Sequence, residues 1–157
     1  MTQELISQYR ASLAMLKSAI ERCPDELWEI PGQHNPFWRI VYHTLHYTNL
    51  YISEGLEEFR PWSKHISGYH QLGEPAITSK PYAKNELLAY QSQINASFSE
   101  KVREEDFKQP SGFEWLKMNK LELHLYNLRH LQHHTGQLIE QLHQKNIHGF
   151  KWLNGCS

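Results

Sequence analysis

Apolar residues recur at the three- and four-residue spacing of an amphipathic helix in four separate stretches of this 157-residue chain. The spacing predicts helices over about 3–22, 36–59, 83–103 and 119–145. No stretch is typical of a strand. Four long helices in a chain of this length predict an all-α fold, a four-helix bundle in which residues 1–157 form a single domain.

The connection between the second and third predicted helices, residues 60–82, is longer than most loops in a compact protein. Its length predicts either a crossover between helices or a segment that covers a functional site. Three aromatic side chains, Trp62, Tyr69 and Tyr82, give it apolar surface that can pack against the bundle. A simple up-and-down order of the four helices is therefore not required.

The limits and the buried faces of the helices can also be predicted. The sequence Asn35-Pro36 indicates the start of the second helix, with Asn35 as the capping side chain and Pro36 at the first helical position. The predicted core side chains of this helix are Phe37, Ile40, Val41, Leu45, Leu50, Ile52 and Leu56. Those of the fourth helix are Leu121, Leu125, Leu128, Leu131, Thr135, Leu138, Ile139 and Leu142. Beyond it, Phe150 and Trp152 are expected to pack back on the bundle.

Charge and composition exclude several classes of function. The chain carries 16 basic and 17 acidic residues and a net charge of −1, which argues against broad binding to nucleic acid or to an anionic membrane. No stretch approaches the roughly 20 apolar residues of a membrane span, and the first residues lack the pattern of a signal peptide. Cys23 and Cys156 lie far apart and form no CxxC pair, so a cytoplasmic location is expected.

Histidine is the unusual residue, with 11 in the chain and three of them in the stretch RHLQHHTGQL, residues 129–138. His130 and His134 are four residues apart, so a helix stacks them on one side, about 6 Å apart along its axis. Both lie at the margin of the apolar face, whereas His133 points further toward solvent. Such a pair can hold a metal ion, but it can also be a chance polar edge of the helix.

A third histidine favours the metal site over the chance polar edge. On the second predicted helix, in the sequence VYHTLHYTNLY, His43 lies at the margin of the apolar face and is the histidine best placed to turn inward. His46 lies nearer the polar side. Two histidines from one helix and one from a facing helix make a three-ligand site with open positions, which is how catalytic metals are held. The HExxH and HxxEH patterns are absent from the sequence, and Glu-x-x-His occurs once rather than twice.

Gly136 lies within the fourth predicted helix, where a glycine lowers stability by about 1 kcal/mol relative to alanine. Two explanations are available. Another helix could pack closely against it, which is the explanation we favour, or the missing side chain could leave space for a ligand.

RHLQHHTGQL together with FWRIVYHTLHYTNLYI resembles the DinB-like superfamily, which includes the YfiT-like proteins. Members are four-helix bundles with one histidine on the second helix and an HxxxH pair on the last long helix. Mapped onto this sequence, the resemblance implies a metal triad of His43, His130 and His134. It also implies a divalent metal ion, most often zinc or nickel, with water in the open positions, and a homodimer.

Characterised relatives in that family use the metal to activate a low-molecular-weight thiol such as bacillithiol or mycothiol. They catalyse thiol transfer or a thiol-dependent isomerisation. By resemblance, this chain would act on a small molecule with the same kind of chemistry. Tyr47, one turn after His43, and Asn127, one turn before His130, are candidates for orienting a ligand or a water.

Several alternatives stay open at this stage. His46 and His133 could assist proton transfer, although solvent exposure is the expected reason for both. Residues 60–82 and Trp152 could cover the site or simply pack against the bundle. The chain could be a metal-dependent thiol transferase or hydrolase, or a non-catalytic metal-binding or dimeric interaction protein. Because no acid–base pair is recognisable beyond the metal ligands, the sequence leaves open whether the protein is an enzyme.

Overall fold

The predicted all-α architecture is confirmed in a computed structural model that describes residues 1–30, 32–73 and 80–155. Within those ranges the chain forms five helices and no strand. The helices are α1 (Thr2–Arg22), α2 (Asp25–Trp28), α3 (Phe37–Tyr51), α4 (Lys84–Glu104) and α5 (Lys120–His143). The four long helices form the predicted bundle, and α2 is a single additional turn. None of these helices combines the length and the apolarity needed to cross a bilayer.

The long helices are not arranged in chain order. Helix α1 packs mainly against α4 and α5, and α3 packs mainly against the same two helices. The helices α1 and α3, which follow each other in the chain apart from the short α2, therefore lie diagonally across the bundle. This arrangement places α3 directly against α5, the two helices that carry the predicted metal ligands.

The connection after α3 packs on the bundle through its aromatic side chains, as predicted. Trp62, Tyr69 and Tyr82 are all buried. The Trp62 ring stacks on Tyr90 of α4 with 4.8 Å between centroids, and Tyr82 contacts Tyr42 of α3 at 4.7 Å. Because each aromatic side chain removes a large apolar area from water, these contacts hold the described parts of the connection against α3 and α4.

Helix α3 ends earlier than the prediction of residue 59. It ends at Tyr51, and the chain turns so that Gly55 comes against Gly112 in the connection before α5. The Leu56 amide donates a hydrogen bond to the Gly112 carbonyl oxygen at 3.3 Å instead of continuing the helix. The Leu56 side chain is consequently exposed, and its prediction as a core residue was wrong.

The start of α3 also differs in detail from the prediction. Pro36 occupies the N-cap position rather than the first helical position, and no side chain caps this helix end. The Asn35 side-chain oxygen instead accepts a hydrogen bond from the Gly73 amide at 3.1 Å. Asn35 therefore ties the connection after α3 to the start of that helix.

Three further predictions are corrected by the packing. Leu125 is 56 % exposed because the apolar arc assigned to α5 was broader than the surface that its neighbours cover. Trp152 is 75 % exposed, whereas Phe150 packs partly buried against the core as expected. Gly136 is exposed, and apart from the neighbouring backbone of α5 itself no described atom lies within 4 Å of a Cβ atom built there. Close helix packing is therefore not the reason for this glycine.

A buried charged network joins α1, α4 and α5 to the end of α3. The Lys120 ammonium group lies 2.9 Å from a carboxylate oxygen of Glu105 and donates to the carbonyl oxygens of residues 53 and 54. His124 lies 2.5 Å from the other Glu105 oxygen and 3.0 Å from the Tyr9 hydroxyl. Burial raises the pKa of Glu105, but hydrogen bonds from His124 and Lys120 outweigh this and hold it below its usual value.

Alanine substitutions at Gly136 and at Gly112 should change the free energy of unfolding in opposite directions. Gly136→Ala should raise the free energy of unfolding by about 0.5–1 kcal/mol, because alanine favours a helix and meets no obstacle there. Gly112→Ala should lower it by more than about 1 kcal/mol, because its φ of 82° disfavours a side chain and the added Cβ would lie 2.2 Å from the Glu54 carbonyl oxygen. Urea unfolding of both variants and wild type measures the two changes. Destabilisation by Gly136→Ala would contradict the open surroundings of that residue.

Candidate metal centre

Helices α3 and α5 bring the three predicted metal ligands together. The ligand nitrogens of His43, His130 and His134 all lie within 4.8 Å of one another. The Nε2 atoms of His43 and His130 are 3.0 Å apart, and the ring centroids of His43 and His134 are 4.6 Å apart. The ring planes are inclined to one another by 50° to 80°, so the three imidazoles are splayed around a common point.

Hydrogen bonds on the far side of two rings select the tautomer that a metal ligand needs. His43 Nδ1 lies 2.6 Å from the His70 carbonyl oxygen, which can only accept, so Nδ1 carries the proton and Nε2 keeps its lone pair. His134 Nδ1 lies 3.0 Å from the Gln137 side-chain oxygen, with the same consequence. Partners of this kind orient metal-bound histidines in proteins generally.

The donor set fits a divalent transition-metal ion. Two nitrogens that each bind one ion at about 2.1 Å are roughly 3.0–3.4 Å apart, which matches the separation of the His43 and His130 Nε2 atoms. Two lone pairs at that distance repel unless a proton or a cation lies between them. On the other edge of the ring, His130 Nδ1 is buried without a hydrogen-bond partner among the described residues. Imidazole nitrogens are ligands that suit zinc and nickel.

Burial keeps these side chains neutral at physiological pH. Burial, together with the neighbouring imidazoles, lowers the pKa of His43 to about 4 and that of His130 to about 3. The pKa of His134 is also lowered, again mainly by burial. Since only a neutral imidazole offers a lone pair, protons do not compete with a metal ion at pH 7.

The two residues predicted to orient a ligand lie in different surroundings. The Tyr47 ring is 4.8 Å from the His43 ring and 5.6 Å from the His130 ring, so it lies beside the triad. Asn127 is fully buried, and its amide nitrogen donates to the Thr48 carbonyl oxygen at 3.2 Å. This hydrogen bond joins α5 to α3.

A second group of histidines was missed by the sequence analysis. His46 was expected at the surface, but it is only 6 % exposed, because the connection after α3 covers that side of the helix. His65 and His70 of the connection lie against it, and the ligand nitrogens of these three residues are also within 4.8 Å of one another. His133 is exposed, as predicted. A helical wheel compares positions on one helix, so it could not show what a distant segment covers.

In metal-free protein, stability should fall as the pH drops below about 6.5. The folded chain holds His43, His46 and His130 with pKa values of about 4, 3 and 3. The unfolded chain takes up protons on the same side chains near pH 6.5, so it binds more protons between these limits and is favoured there. Urea midpoints measured with a chelator present should decrease from about pH 7.5 to about pH 5.5.

The matched variant for this measurement is His46→Phe, which keeps an aromatic ring in a buried position and removes one titrating group. The decrease in the urea midpoint should be smaller in this variant than in wild type. An equal decrease in the two proteins, or none in wild type, would contradict the assignment of buried neutral histidines.

The sequence matches a known protein family over most of its length. A family model described as the DinB superfamily matches residues 8–138, which include α3 and all three histidines of the triad. No curated protein and no solved structure gave a significant match to the chain.

Proposed function

Because this chain belongs to the DinB superfamily, we propose that it is a metal-dependent enzyme whose metal ion, zinc or nickel, is held by His43, His130 and His134. The observation that carries the proposal is the convergence of three neutral imidazoles from two helices on one point. Three protein ligands leave coordination positions open for a substrate, which distinguishes such a site from a closed structural one.

The chemistry of the site would depend on the positive charge of the ion. A bound divalent ion lowers the pKa of a thiol or a water molecule beside it, so that a nucleophile is present at neutral pH. The neutral ligands leave that charge undiminished, and the His70 carbonyl and Gln137 hold the rings in place. Burial raises the pKa of Tyr47, so its hydroxyl stays protonated beside the triad and can donate a hydrogen bond to a substrate.

We expect the nucleophile to be a small thiol supplied from solution. The described part of the chain contains one cysteine, Cys23, which is buried, and burial raises its pKa to about 12. Its thiol therefore stays protonated and unreactive. Cys156 lies outside the described residues. In the proposed reaction the thiol loses its proton to solvent and its sulfur forms a bond to an electrophilic carbon. The bond from that carbon to the leaving group breaks, and the leaving group departs with the bonding electrons.

Metal binding is the first property to test. His130→Ala should weaken the tightest equivalent of zinc by roughly 100-fold or more, because it removes one of three ligands. His133→Ala is the matched control, since this exposed histidine on the same helix is not a ligand and should not change affinity. Both variants and wild type, prepared without a histidine tag, are compared by competition with a chromogenic chelator.

The same measurement can contradict the proposal. Equal zinc affinity in wild type and His130→Ala would show that the triad is not the tight site. Circular dichroism and urea unfolding of both variants establish that any loss of affinity is not a loss of fold.

Activity is tested by conjugation of small thiols to an electrophile such as chlorodinitrobenzene. Metal-loaded protein should accelerate the reaction, removal of the metal should abolish the acceleration, and Tyr47→Phe should reduce it by about 10-fold or more if its hydroxyl contacts the substrate. Equal rates with and without metal would contradict the mechanism. Metal binding without activity toward any thiol or ester would favour the alternative, a non-catalytic metal-binding or interaction protein.

A further inference from the structure

Three histidines gather beside the triad without taking part in it. His46 lies on α3, and His65 and His70 lie on the connection that covers this helix. One ring nitrogen from each lies within 4.8 Å of the other two. None of these three is a ligand in the proposed metal centre, so their grouping is not explained by the proposed function.

Two ring nitrogens of this group lack a hydrogen-bond partner among the described residues. His46 Nδ1 and His70 Nδ1 are both buried, and neither has a hydrogen-bond partner within the described ranges. A buried polar nitrogen without a partner is costly, and it is rare in folded proteins. Two of them in one cluster indicate that something absent from the protein chain satisfies them.

The third histidine of the group has an orienting partner. His65 Nδ1 lies 2.6 Å from the hydroxyl oxygen of Tyr42, a buried residue of α3. With Nδ1–H donating to that oxygen, the Nε2 lone pair of His65 is available to an ion. The contact is of the kind that orients metal ligands from behind.

We propose that His46, His65 and His70 form a second site for a divalent transition-metal ion such as Zn²⁺, distinct from the triad. Three imidazoles within reach of one another are a sufficient ligand set, with solvent completing the coordination. The partial exposure of His65 and His70 gives an ion a route to the site from solvent.

The second site should bind more weakly than the first. The His46 ring stacks on His70 at 4.3 Å and 20°, and on His65 at 5.2 Å and 26°. Nearly parallel rings present their lone pairs side by side, so at least one ring must turn before the three can converge. The inclined rings of the triad need no such rearrangement.

His70 connects the two groups. Its backbone carbonyl oxygen holds His43 of the triad, and its ring belongs to the second group. Among the described residues His65 contacts Tyr42, His46 and His70 rather than the triad, so a substitution there tests the second site with the least disturbance of the first.

The test is the number of metal ions bound per chain. Tag-free protein stripped with a chelator is titrated with Co²⁺ and with Zn²⁺, and the bound metal is followed by visible absorption and by elemental analysis. We expect two equivalents in wild type, the tighter one alone in His65→Ala, and the weaker one alone in His130→Ala. The double variant should bind none, and His148→Ala, a control outside both groups, should bind two.

The possible results separate the two sites. Loss of all binding in His130→Ala, or two equivalents retained in His65→Ala, would overturn the second site. A single equivalent that persists in His130→Ala and disappears in His65→Ala would support the second site while contradicting the triad. If His65→Ala does not show the circular dichroism of wild type, His65→Gln replaces it, because glutamine keeps a side chain of similar length and gives the same decision.

Discussion

The packing of α3 against α5 is the contact on which the candidate metal centre depends. Asn127 donates to the Thr48 carbonyl across this interface, and a short distance along it the His43 and His130 rings meet. His43 and His130 are only partly exposed there, so a charged imidazole would lose part of its hydration. The three imidazoles therefore stay neutral, and in the proposed centre they would need no deprotonation to bind an ion.

Elsewhere in the bundle, two charged side chains of opposite sign are largely buried against each other. Lys120 and Glu105 are paired, and each has further hydrogen bonds that replace the water lost on burial. Such a network is costly to break because removal of one member leaves the other unpaired. The molecule thus separates a paired ionic network, whose charges satisfy one another, from a group of neutral histidines, whose lone pairs remain available for binding.

The helices could be predicted from local periodicity, which also places His130 and His134 on one side of α5 and turns His43 inward on α3. That these two helices face each other is not a local property, and it was implied by the resemblance to the DinB-like superfamily. Positions on one helix distinguish the inward His134 from the exposed His133 without knowledge of any other segment. The errors have non-local causes. His46 is covered by a connection whose path no periodicity encodes, and the end of α3 is set by the approach of Gly55 to Gly112 from a distant part of the chain.

The separation of His43 and His130 by 87 residues also governs when the centre can exist. During synthesis α3 is complete long before α5 has been made, and closing so long a loop carries an entropic cost that the helix packing must first repay. We therefore expect a metal ion to bind this triad after the helices have packed, unlike the ion of a small zinc finger, which drives folding. Such an ion would bind only the folded bundle, so it would slow unfolding rather than speed folding.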